Sequence, residues 1–366
     1  MKKRTLVFCL VAAMIAAMTG CGNSGSSKTS EPAKENRQSE TTAAAAGEEA
    51  VSGLDGLDPI DIAYAHNGSE STMVGQWGLM FKDKVEKASN GKITVTMYSN
   101  AEMGSDSEAI EAVLDNTIQI AAMQPSPAVA FVPELAVFDL PCAFAAADAN
   151  QIAAVLNDSE FSSKLDERCE QAGLTCLGFS QGATFRELSS NTKVADTAGL
   201  AGLNLRVMDN AYQIQFWGLM GCNTTPIAGS ELYMSLQNGL VDSQENALDT
   251  CVAMGVAEVQ KYIAMTNHSL YTNMMLMSDS YYSALPEAYQ QIITKAIDET
   301  VSEMIPIYQE ANDQAKKALQ DAGMEITEFA DDQYAEMVTK AQPVYDSVRE
   351  KIGDEIVDAL LNSIQK

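Results

Sequence analysis

The chain has 366 residues, 46% of them hydrophobic and 20% charged, enough apolar material for one large domain or two ordinary ones and too much for a chain disordered throughout. Fifty Asp and Glu against 23 Lys and Arg leave a formal net charge of −27, which repels phosphate backbones and anionic lipid surfaces and excludes a nucleic-acid partner. Two histidines, and seven cysteines with no pair at the two-residue spacing of a zinc knuckle, exclude a structural zinc site; no metal or other cofactor is expected.

Lys2, Lys3 and Arg4 precede an apolar run from Leu6 to Met18, the charged head and apolar core of a secretory signal, too short to span a bilayer. The run ends in Met18-Thr19-Gly20-Cys21 and continues in Gly and Ser. This resembles a bacterial lipobox, cut before Cys21 with lipid on its thiol, although Met18 stands where leucine is usual. Residues 1–20 then form a lipoprotein signal peptide, and the mature chain is extracytoplasmic and tethered to the cell membrane. Their removal takes away three bases and no acid, leaving 20 bases against 50 acids. Residues 21–58 are rich in Ser, Thr, Ala, Gly and Glu and lack aromatics, so they bury too little to fold and are predicted to be a flexible acidic linker. Cys142, Cys169, Cys176, Cys222 and Cys251 remain, an odd number that leaves at least one thiol free, and no spacing marks a disulfide frame.

From Ile60 the pattern alternates between strand and helix. Ile62 and Tyr64 lie in a short strand; Met73, Val74, Trp77, Met80, Phe81 and Val85 recur at three and four, as on one face of a helix that Asn90-Gly91 ends. Ile93, Val95 and Met97 alternate with polar residues as a strand does, Ser105 with Glu108 makes a capping box for a helix through Leu114, and Ile118–Met123 reads as a buried strand. The middle repeats the theme: strands at Leu177–Phe179 and Leu203–Val207, a helix through Tyr212, Phe216 and Met220, and another from Ser230 to Asn238. Leu270–Met277 is again strand-like, and Pro286 opens a helical stretch to Ala322, interrupted at Pro306 and long enough to brace two domains. Such exchange implies parallel β-α-β units and an α/β fold.

No phosphate loop, dinucleotide fingerprint or nucleophile elbow is present, and Ser190 to Lys193 matches a serine-lysine motif by letters alone. The informative charge is the rare one. Between Val194 and Gln260 there are seven acids and a single base, Arg206, at the end of the apolar strand Leu203-Asn204-Leu205. In α/β folds such strand ends face a ligand crevice, where a guanidinium grips a carboxylate through two parallel N–H···O bonds. A salt bridge to one of the seven acids is the alternative, and the pattern leaves both open.

Several segments together resemble the solute-binding proteins of TRAP (tripartite ATP-independent periplasmic) transporters, the DctP-like family. They are Asn90-Gly91-Lys92-Ile93 leading to Met103-Gly104, the run Pro133 to Pro141, and most specifically Glu231 to Asn246 joined to Glu258-Val259-Gln260-Lys261-Tyr262 and Ala264 to His268. The resemblance implies a two-lobed clamp of the periplasmic-binding-protein type (type II), with lobes at 60–183 and 184–269 and residues 270–366 shared between them, one long C-terminal helix acting as the brace. It implies a monomeric, non-enzymatic protein that closes on a small organic acid, a C4-dicarboxylate or a sugar acid such as a hexuronate, and delivers it to a membrane permease driven by an ion gradient. Presenting the acid to a signalling receptor is the alternative.

By the same resemblance Arg206 binds the ligand carboxylate, Arg186 is a second cation of the pocket, and Asn246 hydrogen-bonds the ligand beside Arg206. Gln124, Asp106 and the turn His66-Asn67 supply polar contacts from the first lobe. Gly229 stands where many relatives place an aromatic residue, Ser243 replaces a usual glycine, and Phe185 precedes Arg186 where a small residue is common. These departures bear on which acid is bound.

Overall fold

A computed structural model describes residues 53–364; the predicted signal peptide, Cys21 and the linker up to residue 52 lie outside the described residues. The first part of the chain runs β1 (Ile60–His66), α1 (Met73–Ala88), β2 (Ile93–Tyr98), α2 (Asp106–Leu114), β3 (Ile120–Met123), α3 (Ala149–Asn157), α4 (Glu160–Gln171) and β4 (Leu174–Ser190). Next come β5 (Asn204–Val207), α5 (Ala211–Leu219), β6 (Asn223–Pro226), α6 (Leu232–Gln237), β7 (Ser243–Asn246), α7 (Leu248–Ala253) and β8 (Tyr262–Ser278). The chain closes with α8 (Asp279–Ala284), α9 (Glu287–Asp321), β9 (Glu325–Glu328), α10 (Asp331–Ile352) and α11 (Asp354–Ile364).

Local chemistry accounts for the elements the sequence predicts. Helix α1 buries Met73, Val74, Trp77, Phe81 and Val85, its apolar stripe. Burying each phenylalanine- or valine-sized side chain stabilises the fold by roughly 1.5–3 kcal/mol. Ser105 accepts from the Glu108 N–H while Glu108 returns a bond to the Ser105 backbone, so the predicted capping box starts α2.

One mixed sheet carries the fold, in the order β2-β1-β3-β8-β4-β7-β5-β6, with β9 added to β8. Parallel pairing holds at its two ends, β2-β1-β3 and β7-β5-β6. The centre departs from the predicted parallel units: β4 and β8, 17 residues each, run antiparallel and join both ends. β3 pairs with the Met274–Met277 end of β8, and β7 pairs with the Glu187–Ser190 end of β4. Between those ends the β4–β8 register slips from Gln181 to Phe185, where Ala183 has φ 53°. Gly182 presses there on α9, and a Cβ on it would stand 2.3 Å from Cβ of Tyr308. Only glycine fits so close an approach.

Helix α9 runs through Pro306 without a break, although proline removes one N–H and crowds the preceding turn. At 1.5 Å per residue it is roughly 50 Å long. Its first two thirds pack Tyr289, Ile293, Ile297, Met304 and Tyr308 against α1 and β4. Its last turns pack Ala315 and Leu319 against Leu248 and Cys251 of α7 and Ile263 of β8. One helix therefore runs along the central strand β4 and touches α1 near one end and α7 near the other.

The folded part also starts earlier than predicted. Leu54 is buried, Leu57 accepts from Lys92 Nζ at 2.7 Å and Asp58 from the Tyr289 hydroxyl at 2.8 Å, so the last residues of the predicted linker belong to the core. The five described cysteines are free thiols, of which Cys169, Cys222 and Cys251 are buried. Among the described residues no helix is long and apolar enough to cross a membrane.

Candidate functional site

Strand and helix ends from both halves of the sheet converge on one cavity of about 290 Å³. Asn67 enters from the end of β1, Asp106 from the start of α2 and Gln124 from the end of β3; Arg186, Arg206 and Asn246 enter from β4, β5 and β7. A second hollow of about 240 Å³ shares Asn67, Asp106, Arg206 and Gly229 with it and opens toward Asp209 and Glu231. Of the seven residues predicted for the site, six line the cavity.

Strand alternation places Arg206 there. Leu205 and Val207 point into the hydrophobic core, so Arg206 between them faces the other side of the strand. Its Nε donates to the Ile227 carbonyl at 2.8 Å. Its two terminal nitrogens make no hydrogen bond to protein among the described residues, and it enters no ion pair there. The salt-bridge alternative is thus not what the geometry shows. Burial without a partner lowers its pKa to about 10, still leaving the group charged at neutral pH.

Arg186 is the opposite case. Its Nε and Nη2 donate to the two Glu245 carboxylate oxygens, Nη2 also to the Glu245 carbonyl, and Nη1 to Gln124 Oε1 and Asn246 Oδ1. All five of its N–H groups are consumed. Both side chains of the pair are buried, at 1% and 0% exposure. Burial alone would raise the Glu245 pKa, but the Arg186 charge and the His268 bond outweigh it and hold the group at about 2. His268 approaches Glu245 with Nε2 at 3.1 Å while Nδ1 meets Thr266 Oγ at 2.9 Å. Burial lowers its pKa against the raising effect of Glu245, and the ring nitrogen that faces the carboxylate donates to it.

This pairing moves Asn246 from its predicted place. It meets Arg186, not Arg206, and its Oδ1 accepts from Arg186 at 3.1 Å and from the Ala247 N–H at 3.1 Å. With the oxygen so occupied, its Nδ2 is left to donate. Gln124 is fixed in the same sense, since its Oε1 accepts from Arg186. Arg186 thereby presents two amide donors beside the open guanidinium of Arg206.

On the far wall Asn67 Nδ2 donates to Asp106 Oδ2 at 2.8 Å. Withdrawal from solvent raises the partly buried Asp106 to about 6, against the lowering effects of Asn67 and Arg206. His66, also predicted for the site, is not among the lining residues. It lies behind Asn67, bonded through Nε2 to Ser99 Oγ at 3.1 Å, and burial lowers it to about 4. Gly229 lines the cavity, and a Cβ there would point at Asn67 Nδ2, 3.7 Å away. An aromatic residue at that position would fill this part of the space.

Sequence reasoning missed Met208, Thr250, Tyr271 and Asn273, which also line the cavity. Asn273 carried a usable signal, a polar residue inside the apolar run Leu270–Met277, the same contrast that singled out Arg206. Thr250 and Tyr271, joined hydroxyl to hydroxyl at 3.2 Å, carried none.

The model of the family described as bacterial extracellular solute-binding protein, family 7 (DctP) matches residues 64–351. The C4-dicarboxylate-binding periplasmic protein DctP of Rhodobacter capsulatus is 29% identical over 308 residues, 83% of this chain and 90% of that one. The sugar acid binding protein DctPAm of Advenella mimigardefordensis, solved in complex with galactonate, matches with a TM-score of 0.80 at 25% identity over 84% of this chain and 99% of that one. A TRAP periplasmic solute binding protein of Shewanella oneidensis with bound succinate gives 0.77 at 25% identity over 83% and 99%.

Proposed function

Because the chain belongs to the bacterial extracellular solute-binding proteins of family 7, we propose that its cavity captures a small organic acid by the carboxylate, with Arg206 as the anchor, and delivers it to a TRAP permease. The observation that carries this reading is the charged, buried guanidinium whose terminal nitrogens have no partner among the described residues. Such a group is costly unless an anion completes it. A carboxylate fits its fork with two parallel bonds, and the Asn246 and Gln124 amides add neutral donors beside it.

In this reading the lobes divide at about residue 183, which the β4–β8 register slip there supports. Ligand contacts from the Asn67, Asp106 and Gln124 side and from the Arg206 and Asn246 side exist together only when the clamp is closed, so binding shifts the hinge equilibrium toward closure. The protein works as a monomer, extracytoplasmic and held to the membrane by lipid on Cys21. A thermal-shift screen of an organic-acid library tests the binding claim, since a ligand at 100 times its Kd stabilises by about 2.7 kcal/mol. A library in which no carboxylate raises the melting temperature would refute it.

Asn246→Ala is expected to weaken binding by roughly 1.5–3 kcal/mol, the range for one hydrogen bond to a charged group. Calorimetry and melting temperature on the same variant separate its roles: normal affinity in a less stable protein would take Asn246 out of the site. Cys21→Ala is expected to release the protein from membranes with unchanged ligand affinity. Mass spectrometry of the mature N-terminus that found Cys21 unmodified, or cleavage elsewhere, would remove the anchor.

A further inference from the structure

The charges around the cavity are unevenly spread. Arg186 and Arg206 are the only cations among the residues lining it and the adjoining hollow, and Arg186 has spent every N–H on Glu245, Gln124 and Asn246. One guanidinium is left for an anion. Away from it the walls offer acceptors and acids. Asp106 accepts one of the two amide hydrogens of Asn67, whose Oδ1 remains to accept; Asn273 likewise gives one Nδ2 hydrogen to Tyr308 at 2.7 Å and keeps Oδ1. Asp209 and Glu231 continue the acidic side at the hollow's edge. Neutral hydroxyls and amides fill the intervals, among them Ser69, Asn100 and Ser230.

From this asymmetry, and resting on the reading of Arg206 as carboxylate anchor, we infer that the ligand is a monocarboxylate with hydroxyl groups on its distal carbons, and that the site rejects a second carboxylate. A second carboxylate sets its charge against Asp106, with Asp209 and Glu231 beyond it, and the neutral hydroxyls and amides of that wall supply no cation to offset it. Hydroxyls both donate and accept, so each can satisfy Asp106, Asn67 or Asn273. A hydroxylated acid also uses what Gly229 leaves vacant: with no side chain at that position, the space next to Asn67 stays open to a polar chain.

The test is calorimetric titration of the mature protein with D-gluconate, succinate and β-alanine, the last carrying an ammonium in place of distal hydroxyls. Gluconate is expected to bind at least tenfold more tightly than either of the others. In Asp106→Asn, with the charge gone and an acceptor kept, the gluconate preference over succinate is expected to shrink on the order of tenfold. Tighter binding of succinate or of β-alanine, or no binding of gluconate at about 10 mM, overturns the inference. The two claims fail separately. If succinate is preferred and Arg206→Ala loses it, the anchor stands and only the ligand class is wrong; if a bound acid is unaffected by Arg206→Ala, the anchor itself is wrong.

Discussion

Arg206→Ala is expected to abolish ligand binding at ordinary concentrations while leaving the ligand-free protein as stable as before. The loss should be roughly 2–5 kcal/mol, about 30-fold to beyond a thousandfold in Kd, because the variant leaves a desolvated carboxylate short of two charged donors. The unchanged stability follows from the same geometry. In the free protein Arg206 makes one hydrogen bond, to the Ile227 carbonyl, and burial lowers its pKa to about 10, so it contributes little to holding the fold. Arg206→Lys should not restore binding, since an ammonium keeps the charge but lacks the planar fork. Calorimetry with any acid found to bind reads the first claim and thermal unfolding of the free variant the second. Near-normal affinity in Arg206→Ala would take the carboxylate anchor away.

What the sequence disclosed and what it hid divide along the distance between interacting residues. The Ser105–Glu108 box and the α1 stripe depend on residues three or four apart, and both stand in the structure. Arg206 was legible because a lone base in an acidic stretch, flanked by Leu205 and Val207, needs no knowledge of partners. β4 and β8 were seen only as the short pieces Leu177–Phe179 and Leu270–Met277. Ser180, Gln181 and Gly182 interrupt the apolar pattern of β4 where it bends, and Asn267 and His268 do the same in β8. The partner of Arg186 was hidden for a different reason. β4 and β7 lie side by side, with Glu187 opposite Asn246, through a pairing that spans about sixty residues of chain and that no local period encodes. Hence the second predicted cation turned out to be neutralised by Glu245, an acid inside the most family-like segment that the reading had not singled out.

That buried pair carries the second large expectation, and it concerns stability. Glu245→Ala should destabilise the ligand-free protein by about 3–5 kcal/mol, because Arg186 then keeps its charge, with almost no exposure, and has lost the two charged carboxylate oxygens among its five acceptors. For a chain of this size that is a fall in melting temperature on the order of 5–15 °C. Glu245→Gln, which retains acceptor and shape, should fall less. The pH dependence identifies the cause. The Glu245 pKa is about 2 in the folded protein, below its ordinary 4.5, so the stabilisation is fully present above about 4.5 and is lost as pH falls through 2. The gap in melting temperature between wild type and Glu245→Gln should therefore stay constant from neutral pH down to about 5 and close between there and 2. A gap independent of pH throughout would mean that Glu245 acts by packing alone. In that case the charge of Arg186 would not be what holds Gln124 and Asn246 with their amide hydrogens toward the cavity.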